Sequence, residues 1–110
     1  MGKYLYTVSY TPEGLKGLIL QGGSARVAAI TRLVTEMGGT LDAFYFAFGT
    51  DDVFVIADMP DNESSIAFVL AVNAAGAATI KTTVLIAAEE VDRATKVCVN
   101  YLPPGTLTEG

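Results

Sequence analysis

Two consecutive runs, TLDAFYFAF (40–48) and DVFVIAD (52–58), are apolar at both parities. Their β-branched and aromatic residues mark them as strands, and the Gly-Thr-Asp stretch between them predicts a tight hairpin in which Gly49 takes a positive φ. Alternation sends Phe44, Phe46 and Phe48 to one side and Leu41, Ala43 and Tyr45 to the other; Phe54 and Ile56 likewise oppose Val53 and Val55. A sheet with one wet face alternates apolar with polar, and these strands do not. Each such side chain left in water forgoes about 1.5–3 kcal/mol. Several together rival the net stability of a whole domain, so both faces require cover. The chain has 110 residues, which fits one domain and leaves no second one to supply it.

The other elements follow from local signals. Lys3 to Tyr10 reads as a strand ended by Thr11-Pro12, and TPEGLKGLILQGG as a long connection whose Leu18, Ile19 and Leu20 fold back over the body. Ser24 stands at a helix N-cap position; Val27, Ile30, Val34 and Met37 then recur with helical spacing until Gly38-Gly39. Pro60 and Asp61 open a second helix that closes at Gly76, and its apolar block from Ile66 to Val72 calls for cover on more than one face. Thr79 to Ile86 is a strand. A short terminal helix follows, with Val91, Ala94 and Cys98 on its apolar stripe, and then a tail with two prolines and two glycines.

The order β, α, β, β, α, β with a terminal helix is that of an α+β, ferredoxin-like split βαβ arrangement. It implies a four-stranded antiparallel sheet, the first strand central and both principal helices on one face. The bare face then meets a second sheet in a homodimer, a dimeric α/β barrel. The expected organisation is a single domain over 3–98 and an irregular tail over 99–110.

Composition narrows the chemistry. Seven Lys plus Arg against twelve Asp plus Glu give a net charge of −5, which repels nucleic acid and anionic membrane surfaces. There is no histidine, which removes the usual zinc sites, histidine-based nucleophile arrangements and histidine-ligated haem; no metal or cofactor is expected. Cys98 is alone, the first residues lack the apolar core of a signal peptide, and no apolar stretch reaches spanning length, so the expected location is cytoplasmic.

YLYTVSYTPEGLKGL, Arg26, LVTEMGGTLDAFYFAFGTDDVFVIADMPD and KTTVLIAAEEVDRA together resemble the GYD domain family, small bacterial proteins akin to the dimeric α/β-barrel superfamily. The resemblance covers residues 3 to 96 and implies the same fold. Of the family's triplet, Gly49 and Asp52 match, while Asp51 stands where the family has tyrosine. The superfamily includes cofactor-free monooxygenases, haem-degrading enzymes, isomerases and ligand-sensing modules; fold alone does not choose among them.

The candidate site residues are Tyr4, Tyr6 and Tyr10, which share one parity of the first strand, with Arg26, Asp52 and Lys81. The tyrosines pack in a core or interface, or line a pocket and stack on an aromatic ligand. Arg26 lies in a helix's first turn, where a cation opposes the dipole, so it calls for a salt bridge or a ligand carboxylate. Asp51 and Asp52 are adjacent and point apart, which suits a turn better than a catalytic pair; Asp52 is the better placed to reach a pocket rim. Lys81 is either a buried base or an edge-strand gatekeeper. The leading expectation is binding of a small, partly apolar molecule in a pocket lined by the first strand and closed by LKGLIL. A cofactor-independent oxygenase or isomerase acting on a small aromatic compound is the alternative, and a structural or partner-binding role the third.

Overall fold

Strand β1 (Gly2–Tyr10) ends at Thr11, and the chain turns at once into helix α1 (Pro12–Gln21). The computed structural model describes residues 2–106. Helix α1 corrects the expectation of an irregular connection. Thr11 is its N-cap, accepting from the Gly14 amide at 3.2 Å, with Pro12 in the first turn and Glu13 beside the positive end of the dipole. Gly14 serves a close approach: a Cβ there would stand 1.9 Å from the Ala77 carbonyl oxygen. Of the three apolar residues expected to fold back, only Leu18 turns inward; Ile19 and Leu20 are more than four-fifths exposed.

Helix α2 (Gly23–Glu36) starts two residues earlier than Ser24 suggested, with Gly22 as an N-cap that offers no side-chain acceptor. Strands β2 (Thr40–Phe46) and β3 (Val53–Met59) form the hairpin, helix α3 (Asn62–Ala75) runs from its Asp61 cap to left-handed Gly76, and strand β4 (Ala78–Leu85) completes the sheet. The order is β2-β3-β1-β4, antiparallel at every pairing, with β1 central as expected. This is a ferredoxin-like α+β fold with four helices.

The hairpin departs from the sequence reading twice. Its connection runs from Ala47 to Asp52, longer than the tight turn expected, and the left-handed residue is Phe48 (φ 54°) where Gly49 was the expectation. Phe48 nevertheless stays stacked on Phe46, with ring centroids 5.7 Å apart. A bulge between Leu41 and Ala43 also changes parity: Leu41 faces Ala57 and joins the core beside Phe44 and Phe46, leaving Ala43 and Tyr45 on the other side. The extra residue, Asp42, pairs with Lys3, which also holds Asp58 at 3.1 Å.

Helices α1, α2 and α3 cover the face that carries Tyr4, Tyr6, Val8, Val53, Val55, Ala57 and Met59. The opposite face is uncovered. On β2 and β3 it shows Ala43, Tyr45 (70% exposed), Phe54 and Ile56; on β1 and β4 it shows Thr7, Ser9, Lys81 and Thr83 among apolar neighbours.

Helix α4 (Ala88–Ala94) is shorter than expected and buries nothing, and every residue from Ile86 to Thr106 is exposed. Cys98 lies beyond the helix in irregular chain and not on an apolar helical stripe, because the helical turns stop at Ala94. The backbone is irregular from Thr95 to Thr106; the rest of the expected tail, 107–110, lies outside the described residues. With this arm the protein measures 66 × 29 × 23 Å and has a radius of gyration of 18.5 Å, against about 13 Å for a compact domain of this length.

Candidate functional site

The tyrosines of β1 divide by what their hydroxyls do. Tyr6 is fully buried, its ring edge-on to Phe68 at 5.0 Å and its hydroxyl 2.6 Å from the buried Ser65 Oγ. Burial pushes its pKa up, partly offset by the Ser65 bond. Tyr4 stacks on Tyr6 and donates to Asn62 Oδ1. Both hydroxyls therefore fasten α3 to the sheet. Tyr10 is half-buried, and its hydroxyl makes no hydrogen bond among the described residues.

Tyr10 faces a cavity of about 440 Å³ between the sheet and helices α1, α2 and α3. That volume falls within the span of small-molecule sites, about 300–1,000 Å³. Val8, Val53, Val55, Phe44 and Phe68 form its floor and back, Ile30 and Leu33 come from α2, and Leu18 comes from α1. Of the segment LKGLIL, Gly17 and Leu18 line the cavity, and they do so from a helix and not from a loop. Polar groups are few: Tyr6 and Tyr10, with Glu13, Gln21 and Arg26. Arg26 is half-buried in the first turn of α2 and has neither ion pair nor side-chain hydrogen bond among the described residues. Burial raises the Tyr10 pKa, the Arg26 guanidinium lowers it, and the Asp52 carboxylate raises it again, so the three groups share one electrostatic neighbourhood.

The remaining candidates lie off the cavity wall. Asp52 Oδ2 accepts the Tyr10 amide at 2.7 Å, its own amide donates to Val8 O, and its carbonyl accepts from Ala47. It pins the hairpin to the end of β1. Asp51 accepts from Ser9 Oγ at 3.2 Å and lies 3.8 Å from Lys81 Nζ. Lys81 pairs with Thr7 on the uncovered face of edge strand β4, its side chain 78% exposed, which is the gatekeeper arrangement and not that of a buried base. The structure therefore puts Tyr6, Tyr10 and Arg26 on one cavity wall, places Tyr4 behind Tyr6, holds Asp52 against the Tyr10 backbone off that wall, and sets Lys81 apart.

Sequence reasoning missed Glu13 and the apolar wall from α2 and α3. The Thr-Pro-Glu start of α1 was the available signal for Glu13; the wall residues read only as core. A second, more open groove of about 340 Å³ lies between α3 and β4, lined by Tyr4, Ile66, Leu70 and Val84 among others. Among the described residues no group of three or more Cys, Asp or Glu is placed to hold a metal ion. Among the described residues no helix is long and apolar enough to cross a membrane.

A four-stranded antiparallel sheet with helices on one face and a small-molecule-sized cavity between the layers defines a ferredoxin-like α+β domain. Its hairpin and flanking segments carry the particular kinship: the GYD domain pattern matches residues 4–95, and the chain belongs to the GYD domain family. Comparison with curated proteins and with solved structures returns no match.

Proposed function

We propose that the protein binds a small, partly apolar molecule in the cavity between sheet and helices. The observation that supports this most is the cavity itself, placed where a domain of this size would normally bury its densest core. Such a space is tolerable when it opens to water and is useful when a ligand fills it. Catalysis is less well supported. Of the titratable groups on the wall, the Tyr6 hydroxyl is committed to Ser65, Glu13 is exposed, and the raised pKa of Tyr10 keeps it from acting as a base near neutrality. A cofactor-independent oxygenase or isomerase would have to work through Tyr10 and Arg26. The test is a cavity-filling substitution, Ala71→Phe or Val72→Trp, combined with calorimetric titration of apolar probes. Binding lost in a variant that melts at or above the wild-type temperature supports the reading; binding unaffected by both substitutions refutes it.

A second reading concerns assembly: the protein is a homodimer. Tyr45, Phe54 and Ile56 leave an uncovered sheet face, and the arm beyond β4 exposes Ile86, Val91, Val97, Val99, Tyr101 and Leu102. A seven-residue helix has little stability alone, so α4 needs a surface to pack on. Two copies packed sheet to sheet, each arm lying on its neighbour, would cover both. Sedimentation of the full chain and of a chain ended after Leu85 tests this: we expect a dimer for the first and weaker association for the second. A full-length monomer at micromolar concentration would contradict it. A cytoplasmic setting suits the single exposed thiol, Cys98.

A further inference from the structure

We propose that the molecule this cavity takes is an apolar compound ending in a single anionic group, a carboxylate or its equivalent, held by the Arg26 guanidinium and the Tyr10 hydroxyl. The inference rests on the ligand-binding reading above and adds the chemical class.

Arg26 carries two costs that no ion pair or side-chain hydrogen bond among the described residues offsets. It is half-buried without an ion pair or hydrogen bond, and it stands in the first turn of α2, where a cation meets the positive end of the helix dipole. The first turn of α2 also contains no acidic residue, and its Gly22 cap supplies no side-chain acceptor to the free amides. An anionic partner would offset both costs. The space in front of it is the cavity, and Glu13, the carboxylate on the same wall, lies on an exposed position of α1 and is not within ion-pairing distance of it.

Tyr10 supplies the second donor. Its amide is taken by Asp52, but its hydroxyl makes no hydrogen bond among the described residues, and it lines the same cavity as Arg26. A planar guanidinium fork and an O–H donor lining one cavity suit the two oxygens of a carboxylate. The rest of the wall offers the ligand only apolar contact, from residues such as Val8, Ile30, Phe44, Phe68 and Val72. Glu13 at the same rim disfavours a second negative charge, which selects a monoanion over a dianion.

The experiment compares matched probes, 2-naphthoate with 2-naphthylmethanol and decanoate with decanol, by calorimetry at low salt against the wild-type chain. Each acid is expected to bind about tenfold tighter than its alcohol, the preference shrinking as sodium chloride is added. Arg26→Gln should bring the acid-to-alcohol ratio to near one, Tyr10→Phe should reduce it about threefold, and Glu13→Gln should increase it, with circular dichroism confirming that each variant is folded. Equal binding of acid and alcohol, or a preference that survives Arg26→Gln, overturns the anion assignment while leaving the cavity reading intact. Failure of all four probes to bind overturns both.

Discussion

The hydrogen bond between Tyr6 and Ser65 ties the central strand to α3 and forms the wall behind the cavity, so it can be tested apart from any ligand. Both residues are within 3% of full burial, their oxygens are 2.6 Å apart, and Tyr6 has no exposure at all. Tyr6→Phe leaves the Ser65 hydroxyl buried without a partner, and Ser65→Ala does the same to the Tyr6 hydroxyl; each should cost about 1–3 kcal/mol. The double substitution removes both polar groups and should cost less than the sum of the singles, leaving a coupling of at least 1 kcal/mol. For a chain of 110 residues the unfolding entropy is about 0.23 kcal/mol/K, so a loss of 2 kcal/mol lowers Tm by about 9 °C. Urea unfolding followed by circular dichroism at one fixed protein concentration gives all four corners of the cycle. Single variants within 0.5 kcal/mol of wild type, or strictly additive losses, would refute the role assigned to this pair.

Gly14→Ala should destabilise by about 1–3 kcal/mol because its Cβ would meet the Ala77 carbonyl, whereas Gly17→Ala, with open space around the same atom, should stabilise α1 by about 0.5–1 kcal/mol; thermal melts separate them. The raised pKa values of Tyr6 and Tyr10 mean that the folded state keeps protons the unfolded chain loses. Their contribution is therefore complete below about pH 10 and declines as pH rises through the folded values, which spectrophotometric tyrosine titration alongside alkaline unfolding will show. Asp61 has the opposite sign: the Ser64 amide holds its pKa below 3.8, so its capping contribution is present above that pH and is lost as pH falls through the folded value. Asp61→Asn should remove that part of the acid dependence while keeping a cap acceptor.

The hairpin strands, β1, α3 and β4 are legible from sequence because period and punctuation agree in each. At α3, Asp61 caps one end, Gly76 closes the other, and the apolar block between them is covered on the side that carries Ser65 and Phe68. Helix α1 is hidden by its glycines. Its Thr-Pro-Glu start is a helix signal, but Gly14 and Gly17 argue for a loop unless the close approach of Ala77 is known, and that approach is tertiary. Leu41 fails for a similar reason: strict alternation places it outside, and a bulge that admits Asp42 to Lys3 moves it inside. Of the site, Tyr10 and Arg26 are legible because strand parity and helix position each make them conspicuous. Asp52 and Lys81 are conspicuous too, yet the fold spends one on the hairpin and the other on an edge. Asp51 likewise ties the hairpin loop to β1 through Ser9 and to β4 through Lys81.

The central claim, that the space between sheet and helices is the binding site, is tested most directly by methyl-resolved NMR of the protein titrated with 2-naphthoate. Shifts should concentrate on Val8, Ile30, Val72 and Ile80 around the cavity and leave Ile66 and Val84 at the α3–β4 groove nearly unmoved. Shifts confined to that groove or to the arm beyond Leu85, or no saturable shift at all, would contradict it.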